Sequence, residues 1–341
     1  MNPLRDALLW ASRSPSLASL APRLWFVRRA VRQFMPGETL EDALRAARTF
    51  ARRGLPTTLT HLGENVRSRE EAEAATGHYL EVLRRVHRLG LDAEISVKLT
   101  HLGLDLDRAL ALENLERLAR AAAELGNWVW VDMESSPYVD PTLDIYRKLV
   151  GSWPQLGVCL QAYLYRTEDD LETLLPLCPS VRLVKGAYRE PPHVAHRRRA
   201  RVDESFLRLA RRLLEAGRAG RLRRFALATH DLRLVGRVER MRRELGLPRE
   251  AFEVQMLYGI RQADQFRLVE RGFRCRCLIT YGEAWYPWYV RRLAERPANL
   301  WFVARNVFAP APTALEALEG PEGLEDQRSL EGREGPEGRE A

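Results

Sequence analysis

Apolar and polar positions alternate along most of the chain with two different periods. Short runs of apolar, β-branched residues are each followed by a segment with the spacing of an amphipathic helix, and this cycle occurs eight times. Helical stretches such as residues 68–90 and 107–126 end in glycine, the expected stop signal. The apolar runs predict strands over residues 57–63, 93–103, 127–134, 157–164, 181–188, 224–231, 252–259 and 273–282.

Eight strand–helix units within residues 57–282 match the count and size of a (β/α)8 barrel. A doubly wound sheet would alternate in the same way. However, no G-x-G-x-x-G pattern follows the first predicted strand, so a dinucleotide-binding sheet loses its main support. We therefore predict an α/β fold, a TIM-like (β/α)8 barrel that occupies residues 56–308.

Two terminal regions fall outside the alternation. Residues 1–55 contain helix-like segments over 4–20, 24–34 and 39–53, which we expect to flank the barrel. Residues 309–341 are rich in glycine, glutamate and proline and contain few large apolar side chains. Such a segment cannot bury enough apolar surface to fold, so the sequence predicts a disordered acidic tail.

The chain is basic, with a net charge of +8 and a pI near 9.6. A nucleic-acid partner is one interpretation of this charge. Most of the arginines, however, stand beside glutamates in helical segments, and the densest basic run, residues 196–201, has no nucleic-acid-binding motif near it. A charged helix surface is therefore the favoured interpretation, and we expect no nucleic acid as partner.

The sequence also bears on compartment and redox state. No apolar stretch reaches the roughly 18 residues that a membrane span needs, and no apolar segment with a small-residue cleavage site follows the N-terminal arginines. The cysteines include no CxxC pair, and three of them fall in or beside apolar runs. We therefore expect a cytoplasmic protein with buried free thiols and no metal site. The cysteines are Cys159, Cys178, Cys275 and Cys277.

Lysine is rare, since only Lys98, Lys148 and Lys185 occur among 54 basic residues. Lys148 falls within a helical run and is interpreted as a surface residue. The other two stand at the ends of strand-like runs. A lysine is a compact point charge, whereas a guanidinium is a planar fork. We therefore expect Lys98 and Lys185 to perform a task that arginine cannot.

Charged side chains interrupt the apolar pattern near the carboxyl ends of several predicted strands. They are Lys98, Asp132, Arg182 and Lys185. A charge in such a run is costly to desolvate unless it is paired, so each residue fits either a structural ion pair or a functional site. Because a barrel of this type has its active site at this end, the four together favour a site.

The segment after the eighth predicted strand combines aromatic residues with two adjacent arginines. Arg291 and Arg292 form the pair, with Glu295 one helical turn further on. Neighbouring guanidinium groups suit bidentate capture of a carboxylate or phosphate, although an exposed arginine face is the plain alternative. The aromatic residues favour a pocket. They are Trp285, Tyr286, Trp288 and Tyr289.

Six motifs, in this order, resemble proline dehydrogenase, and more closely its compact monofunctional bacterial members. They read LGEN, ISVKLT, LQAYLYRT, RLVKGAY, ATHD and YPWYVRRLAERPAN, and the resemblance covers residues 40–308. It implies a distorted (β/α)8 barrel that holds FAD noncovalently. It also implies hydride transfer from C5 of L-proline to flavin N5, giving Δ1-pyrroline-5-carboxylate. Electrons would pass to a membrane quinone, with a peripheral contact at the inner membrane face and functional coupling to a pyrroline-5-carboxylate dehydrogenase.

The resemblance assigns substrate roles to matching positions. Arg291 and Arg292 would clamp the proline carboxylate, and Lys98 would add a further positive contact. Tyr188 and Leu257 would pack against the proline ring. Glu64 would act as a gate over the site, and Glu295 would support the arginine clamp.

The resemblance assigns cofactor roles to a second set. Arg182 would hydrogen-bond flavin N5, and such donors stabilise the anionic reduced flavin. Asp132 would lie near the substrate and flavin and hold Lys98 in place. The remaining residues would line or contact the cofactor. They are Met133, Gln161, Lys185, Gly186, Ala187, Thr229 and His230.

Three positions depart from the family pattern. Leu278 stands where a tyrosine packs on the substrate ring, Thr280 replaces a proline, and Trp288 replaces a tyrosine. A small change in a ring pocket is worth about 1–3 kcal/mol, which shifts preference and not chemistry. Oxidation of 4-hydroxyproline or a related cyclic amino acid is therefore an alternative. More distant ones are an aldolase forming a Schiff base through Lys98 or Lys185, and a basic nucleic-acid-binding protein.

Overall fold

The structure is a computed structural model that describes residues 31–286 and 289–290. Several predictions fall on other residues and so lie outside the described part. They concern the helices before residue 31, Trp288, Arg291, Arg292, Glu295 and the acidic tail. The domain boundaries after residues 55 and 308 stay predictions.

Eight parallel strands form a closed barrel in which each strand pairs with the next along the chain and β8 pairs with β1. The predicted (β/α)8 fold is confirmed. The strands are β1 Thr57–His61, β2 Ala93–Val97, β3 Val129–Val131, β4 Leu156–Gln161, β5 Ser180–Val184, β6 Arg224–Ala228, β7 Glu253–Leu257 and β8 Cys275–Tyr281.

Helices precede the barrel and follow the first seven strands in the described part of the chain. Side-chain caps begin several of them, as at Thr39, whose hydroxyl accepts from the Asp42 amide in a capping box. The helices are α1 Leu40–Ala51, α2 Arg69–Arg88, α3 Arg108–Glu124, α4 Val139–Val150, α5 Thr167–Leu174, α6 Arg199–Arg218, α7 Leu232–Glu244 and α8 Gln262–Glu270. Short 3-10 turns span Ser136–Tyr138, Leu175–Leu177 and Arg249–Ala251.

The predicted helix stops are confirmed. Gly90 and Gly126 follow α2 and α3 with φ of 61° and 64°, a left-handed backbone that glycine adopts without strain.

All four cysteines are free thiols, and Lys148 is exposed. No helix in the described residues is long and apolar enough to cross a bilayer.

The amino-terminal end of the barrel interior is filled by charge. Arg224 pairs with Glu94 through Nη1 and Oε1 at 2.5 Å and with Glu253 through Nη2 at 2.9 Å. Arg276 lies 3.4 Å from Glu94 and 3.3 Å from Glu253 between the nearest nitrogen and oxygen atoms. We call these four residues the floor cluster. Charged residues inside strands therefore have two meanings in this barrel. At the amino-terminal end they form a structural layer, and at the carboxyl-terminal end they belong to the predicted site.

Candidate active site

The predicted site residues that the structure describes lie at the middle of the barrel strands or beyond, toward their carboxyl ends. Arg182 and Leu278 sit within β5 and β8, while Gln161 and Leu257 end β4 and β7. The others follow β1, β2, β3, β5 and β6 directly or within a few residues. They are Glu64, Lys98, Asp132, Met133, Lys185, Gly186, Ala187, Tyr188, Thr229 and His230.

Arg182 is the most buried charge at this end, with 2% of its surface exposed. Its Nη1 donates to Asp132 Oδ1 at 2.9 Å and to Ser96 Oγ at 2.8 Å, and Ser96 Oγ also donates to the same carboxylate oxygen at 2.8 Å. Its Nε and Nη2 atoms are buried without a hydrogen-bond partner among the described residues. Buried donors of this kind are rare in proteins and cost free energy unless a ligand completes them.

Asp132 serves Arg182 and not Lys98. The sequence reasoning placed Asp132 as the group that holds Lys98, but no ion pair within 4.0 Å joins these two residues in the described part of the chain. Lys98 follows β2 and is half-buried. Ser96, which sequence reasoning missed, completes the Arg182 contact instead, and a serine in a buried strand gives little signal of such a role.

Lys185 is ion-paired to two carboxylates. Its Nζ lies 2.5 Å from Asp203 Oδ1 on α6 and 3.7 Å from Asp231 Oδ2, the cap of α7. A hydrogen bond from Arg233 lowers the pKa of Asp231 to about 2, so this carboxylate stays charged across the neutral range. The two aspartates fix the lysine beside the loop that follows β5. Asp231 is the last residue of the ATHD motif, whereas Asp203 was not singled out from the sequence.

The backbone after β5 requires glycine at one position. Gly186 has a φ of 111°, and a Cβ built there would fall 2.2 Å from Cδ1 of Tyr163. No L-side chain fits this conformation and contact together. Ala187 and Tyr188 continue the loop and are half-buried. The chain therefore passes closely over the Tyr163 ring at the mouth of the barrel.

The predicted flavin-contacting residues Gln161, His230 and Thr229 each make a hydrogen bond at the mouth of the barrel. Gln161 Nε2 donates to the Met133 carbonyl at 3.3 Å, while Gln161 Oε1 is buried with no hydrogen-bond partner among the described residues. Across the mouth, the Leu257 amide donates to His230 Nε2 at 3.3 Å. Thr229 Oγ1 accepts from the Asp231 amide at 3.1 Å, which turns the chain from β6 into α7.

Leu257 and Leu278 are neighbours in the sheet. They are register partners on β7 and β8, so their side chains point to the same face, and both are half-buried in strands that are otherwise buried. Along a strand, every second side chain points to the same face. Glu253 and Arg276 point into the barrel, so Leu257 and Leu278, on the same strands and an even number of residues away, also point inward. Together they form an aliphatic wall at the mouth.

Carboxylates and amides tie the loops at this end to one another. Glu134 accepts from the Thr100 amide and hydroxyl at 3.1 and 2.6 Å, and burial raises its pKa to about 7. Asn65, beside the half-buried Glu64, donates to Asp105 at 2.8 Å. Glu190 accepts from the Ser136 amide at 2.8 Å and joins the loops after β3 and β5. The sequence reasoning gave these contacts no role.

A cluster of histidines supports the loops after β1 and β2. The His61 ring lies 4.2 Å from the His78 ring and 5.6 Å from the His101 ring, between centroids. His78 Nε2 is 2.8 Å from the Tyr281 hydroxyl. Burial lowers the pKa of His61 to about 4 and that of His101 to about 3, so the cluster is neutral near pH 7. No group in the described residues is arranged to hold a metal ion.

Comparison with known sequences gives one family. The family model described as proline dehydrogenase matches residues 43–305. Proline dehydrogenase 2 of Bacillus subtilis is 36% identical over 303 residues, which cover 89% of this chain and 98% of that protein. Proline dehydrogenase of Deinococcus radiodurans is 35% identical over 309 residues, which cover 89% of this chain and 97% of that protein.

Comparison with solved structures gives the same barrel. The chain is similar to proline utilization A (PutA) from Bdellovibrio bacteriovorus inactivated by N-propargylglycine, with a TM-score of 0.74 and 25% identity. The match covers 86% of this chain and 35% of the solved chain, so this chain spans about a third of that longer protein. The family model covers most of the barrel, and the bacterial relatives match over almost their whole length. The chain therefore belongs to the proline dehydrogenase family and is an oxidoreductase of that family.

Proposed function

We propose that the chain oxidises L-proline to Δ1-pyrroline-5-carboxylate with a noncovalently bound FAD and passes the electrons to a quinone. The proposal includes a peripheral contact with the membrane that holds the quinone and coupling to a pyrroline-5-carboxylate dehydrogenase. It rests on the family assignment and on the chemistry of the described groups at the carboxyl end of the barrel.

The observation that carries the proposal is the half-satisfied guanidinium of Arg182. One of its nitrogens is fixed by Ser96 and Asp132, whereas Nε and Nη2 are buried without a hydrogen-bond partner in the described residues. A flat heteroaromatic ring with in-plane nitrogen and oxygen acceptors would satisfy these donors. A positive donor at that position stabilises negative charge on the reduced ring, which is the chemistry a flavin site needs.

Two further features fit a bound flavin. Gln161 Oε1 is a buried acceptor with no hydrogen-bond partner among the described residues and suits a ring N–H. Gly186 lets the loop after β5 pass directly over the Tyr163 ring, where any side chain would collide, and so sets the path of the backbone that would line the cofactor. The described residues therefore fit the cofactor, and Lys185, Ala187, Met133, Thr229 and His230 would line the rest of its site.

The substrate groups follow from the same arrangement. Arg291 and Arg292 would bind the carboxylate of proline, Lys98 would add a positive charge beside it, and Tyr188 would pack on the ring with Leu257 and Leu278. A bound FAD would supply the acceptor for the hydride that leaves C5 of the substrate, and the proton on the amine nitrogen would pass to solvent. Asp132 keeps Arg182 oriented, and Glu64 and Glu295 would hold the clamp arginines over the site.

The absorption spectrum of the purified protein tests this function. A flavoprotein is yellow because its isoalloxazine ring absorbs near 450 nm, about where the free ring absorbs. Anaerobic L-proline should bleach that band. A colourless protein, or a yellow one whose spectrum L-proline and its analogues leave unchanged, would refute the proposal.

A second substrate is favoured by one observation. Leu257 and Leu278 form an aliphatic wall where the family pattern has a tyrosine at the second position, so the ring pocket lacks an aromatic face there. We therefore propose 4-hydroxyproline or a related cyclic amino acid as the alternative substrate. Leu278→Tyr should raise the ratio of kcat/KM for proline to that for 4-hydroxyproline. An unchanged ratio would show that residue 278 does not face the ring.

The Schiff-base alternative finds less support. An amine that attacks a carbonyl must be unprotonated and accessible, whereas the Lys185 ammonium is held by Asp203 and Asp231. Borohydride trapping with substrate is the direct test for either lysine. Absence of covalent label at Lys98 and Lys185 is the result expected for a flavoenzyme.

A further inference from the structure

Trp130 lies between two guanidinium groups inside the barrel. Its ring is fully buried on β3, with Arg182 Cζ 4.6 Å from the ring centroid on the site side. On the floor side, Arg224 Cζ lies 5.3 Å from it. Both distances are those of cation–π contacts, which are strongest in desolvated surroundings. Trp130 thus connects the floor cluster with the cationic group of the site.

The strand register gives this indole its place. Trp130 points inward on β3 and is paired with Gly157 on β4. A Cβ at Gly157 would fall 2.5 Å from the indole, so glycine at that position leaves the ring its space. Trp130 Nε1 donates to Glu94 Oε2 at 2.7 Å. The ring is therefore fixed by its packing at one edge and by a hydrogen bond at another.

The floor cluster makes the Glu94 anchor rigid. Glu94 is buried and accepts from Arg224 at 2.5 Å, while Arg276 lies 3.4 Å away. Its carboxylate therefore cannot turn away from the indole without breaking a buried ion pair, which is strongly unfavourable. The floor cluster therefore holds Glu94 in place, and Glu94 in turn holds the indole of Trp130.

We propose that Trp130 is a positioning residue for Arg182. The inference rests on the proposed function, in which Arg182 donates to the flavin. Ser96 and Asp132 hold only Nη1, so the guanidinium plane is still able to swing about that contact. The face of Trp130 stops this swing and directs the two donors without partners, Nε and Nη2, toward the cofactor side.

Removing the aromatic face should change redox chemistry more than substrate binding. Trp130→Leu should lower kcat about tenfold, which corresponds to about 1.4 kcal/mol of activation free energy, with little change in KM. The midpoint potential of bound FAD should fall, because a misdirected donor stabilises the reduced form less. The fall is about 30 mV for each tenfold loss of preference for the reduced form. Trp130→Phe keeps a ring face and should stay closer to the parent in both values.

A double-mutant cycle with Arg182→Ala separates positioning from support of the fold. If Trp130 acts through Arg182, Trp130→Leu should have no further effect on the potential or on kcat once Arg182 is alanine. Trp128→Leu is the matched control, because Trp128 lies over Arg224 at 5.1 Å and no ring contact with Arg182 is found among the described residues. It should change the unfolding midpoint and leave the potential as in the parent.

Each outcome of the cycle is decisive. Equal effects of Trp130→Leu with and without Arg182, or an equal shift of potential in Trp128→Leu, would overturn the inference. If Trp130→Leu does not fold, the same cycle is measured with Trp130→Met, which also lacks a ring face, and its potential must shift in the presence of Arg182 only. The parent protein reports separately on the proposed function. A parent that binds no FAD refutes that function, whereas a yellow, active parent with additive variants refutes only the role of Trp130.

Discussion

At the scale of single residues, the partners of a charge decide what it is able to do. In the sequence, Arg182, Lys98 and Lys185 are each a cation within or at the end of an apolar, strand-like run. In the fold, Lys185 is held by two carboxylates, while Arg182 keeps two donors without a hydrogen-bond partner in the described residues. The half-satisfied arginine is therefore the residue on which the proposed chemistry depends.

Replacement of Arg182 by lysine tests its donors rather than its charge. Arg182→Lys keeps a positive group but lacks the planar fork, so the contact to Asp132 and the donors toward the cofactor cannot coexist. We expect kcat to fall about a hundredfold, the size seen when one transition-state donor is removed. FAD content should remain near one per chain. Full activity in this variant would show that the fork is dispensable.

Gly186 offers a residue-scale test of the loop that lines the proposed cofactor site. Gly186→Ala should lower stability and FAD affinity together, because the methyl group would meet Tyr163 in a backbone with positive φ. Gly220→Ala is the matched control, since Gly220 has a φ of 69° and open space around its Cβ position. The control should lose about 1–2 kcal/mol from backbone strain alone. Equal losses in urea unfolding would contradict the close contact with Tyr163.

At the scale of elements, β7 and β8 each serve both ends of the barrel. The residues that point inward from β2, β7 and β8 are charged near the amino end, and β7 and β8 present leucine near the carboxyl end. Only every second side chain of a strand points into the barrel, so the charged residues and the leucines share one face. They are separated by their position along the strand. The floor cluster closes one end and leaves the other end for chemistry.

The floor cluster should be costly to break. Glu253 accepts from Arg224 at 2.9 Å and from Arg276 at 3.3 Å, and these guanidinium charges outweigh burial and hold its pKa below the usual value. Glu253→Gln should lower the free energy of unfolding by about 3–5 kcal/mol, as when one partner of a buried pair is removed.

A surface ion pair provides the comparison for this variant. Glu244 bonds Arg211 at 3.0 Å on the exposed sides of α7 and α6, and Glu244→Gln should cost about 1 kcal/mol or less. Denaturant unfolding of both variants checks the difference. Similar small losses in both would mean that the floor cluster contributes little to stability.

At the scale of the whole molecule, the loops at the mouth behave as one layer. Ion pairs and hydrogen bonds join the loops after β1, β2, β3, β5 and β6. The histidine cluster includes His61 at the end of β1 and His101 in the loop after β2, and it contacts β8 through Tyr281. We therefore expect the mouth to respond to the protonation of groups that do not touch the proposed substrate.

Acid should destabilise the protein through this cluster. Burial lowers the pKa of His61 to about 4, whereas the unfolded chain binds that proton near pH 6.5. Since the unfolded state then binds more protons, stability is fully present above pH 6.5 and falls as the pH drops toward 4. His61→Asn should flatten this part of the stability curve.

An exposed histidine controls for the loss of a histidine as such. His87→Gln on α2 should leave the pH dependence as in the parent, because His87 is exposed. Thermal unfolding of the parent and the two variants between pH 4 and 7 provides the measurement. Glu134, whose pKa is raised, changes stability with pH in the opposite direction to His61. Its contribution is the same in all three proteins and cancels when a variant is compared with the parent. Parallel curves for His61→Asn and the parent would exclude the cluster as the acid-sensitive element.

Some strand ends were placed too far along the chain. The second strand was predicted over residues 93–103, but β2 ends at Val97. Leu99, Leu102 and Leu104 remain buried because the loop itself packs over the barrel, so apolar spacing alone could not distinguish them from strand. Buried loops at a functional mouth are the places where local pattern and tertiary packing differ.

The sequence by itself determined the barrel and the end of it that carries the polar groups. Eight alternations of strand and helix periodicity leave few ways to bury both faces of a parallel sheet, and the order of motifs specified the family. Only the tertiary structure decided which charges pair. Arg182 meets Ser96 on β2, Trp130 on β3 and Asp132 directly after β3. Such contacts depend on register across the closed barrel, because side chains distant in sequence meet only once strand stagger is set.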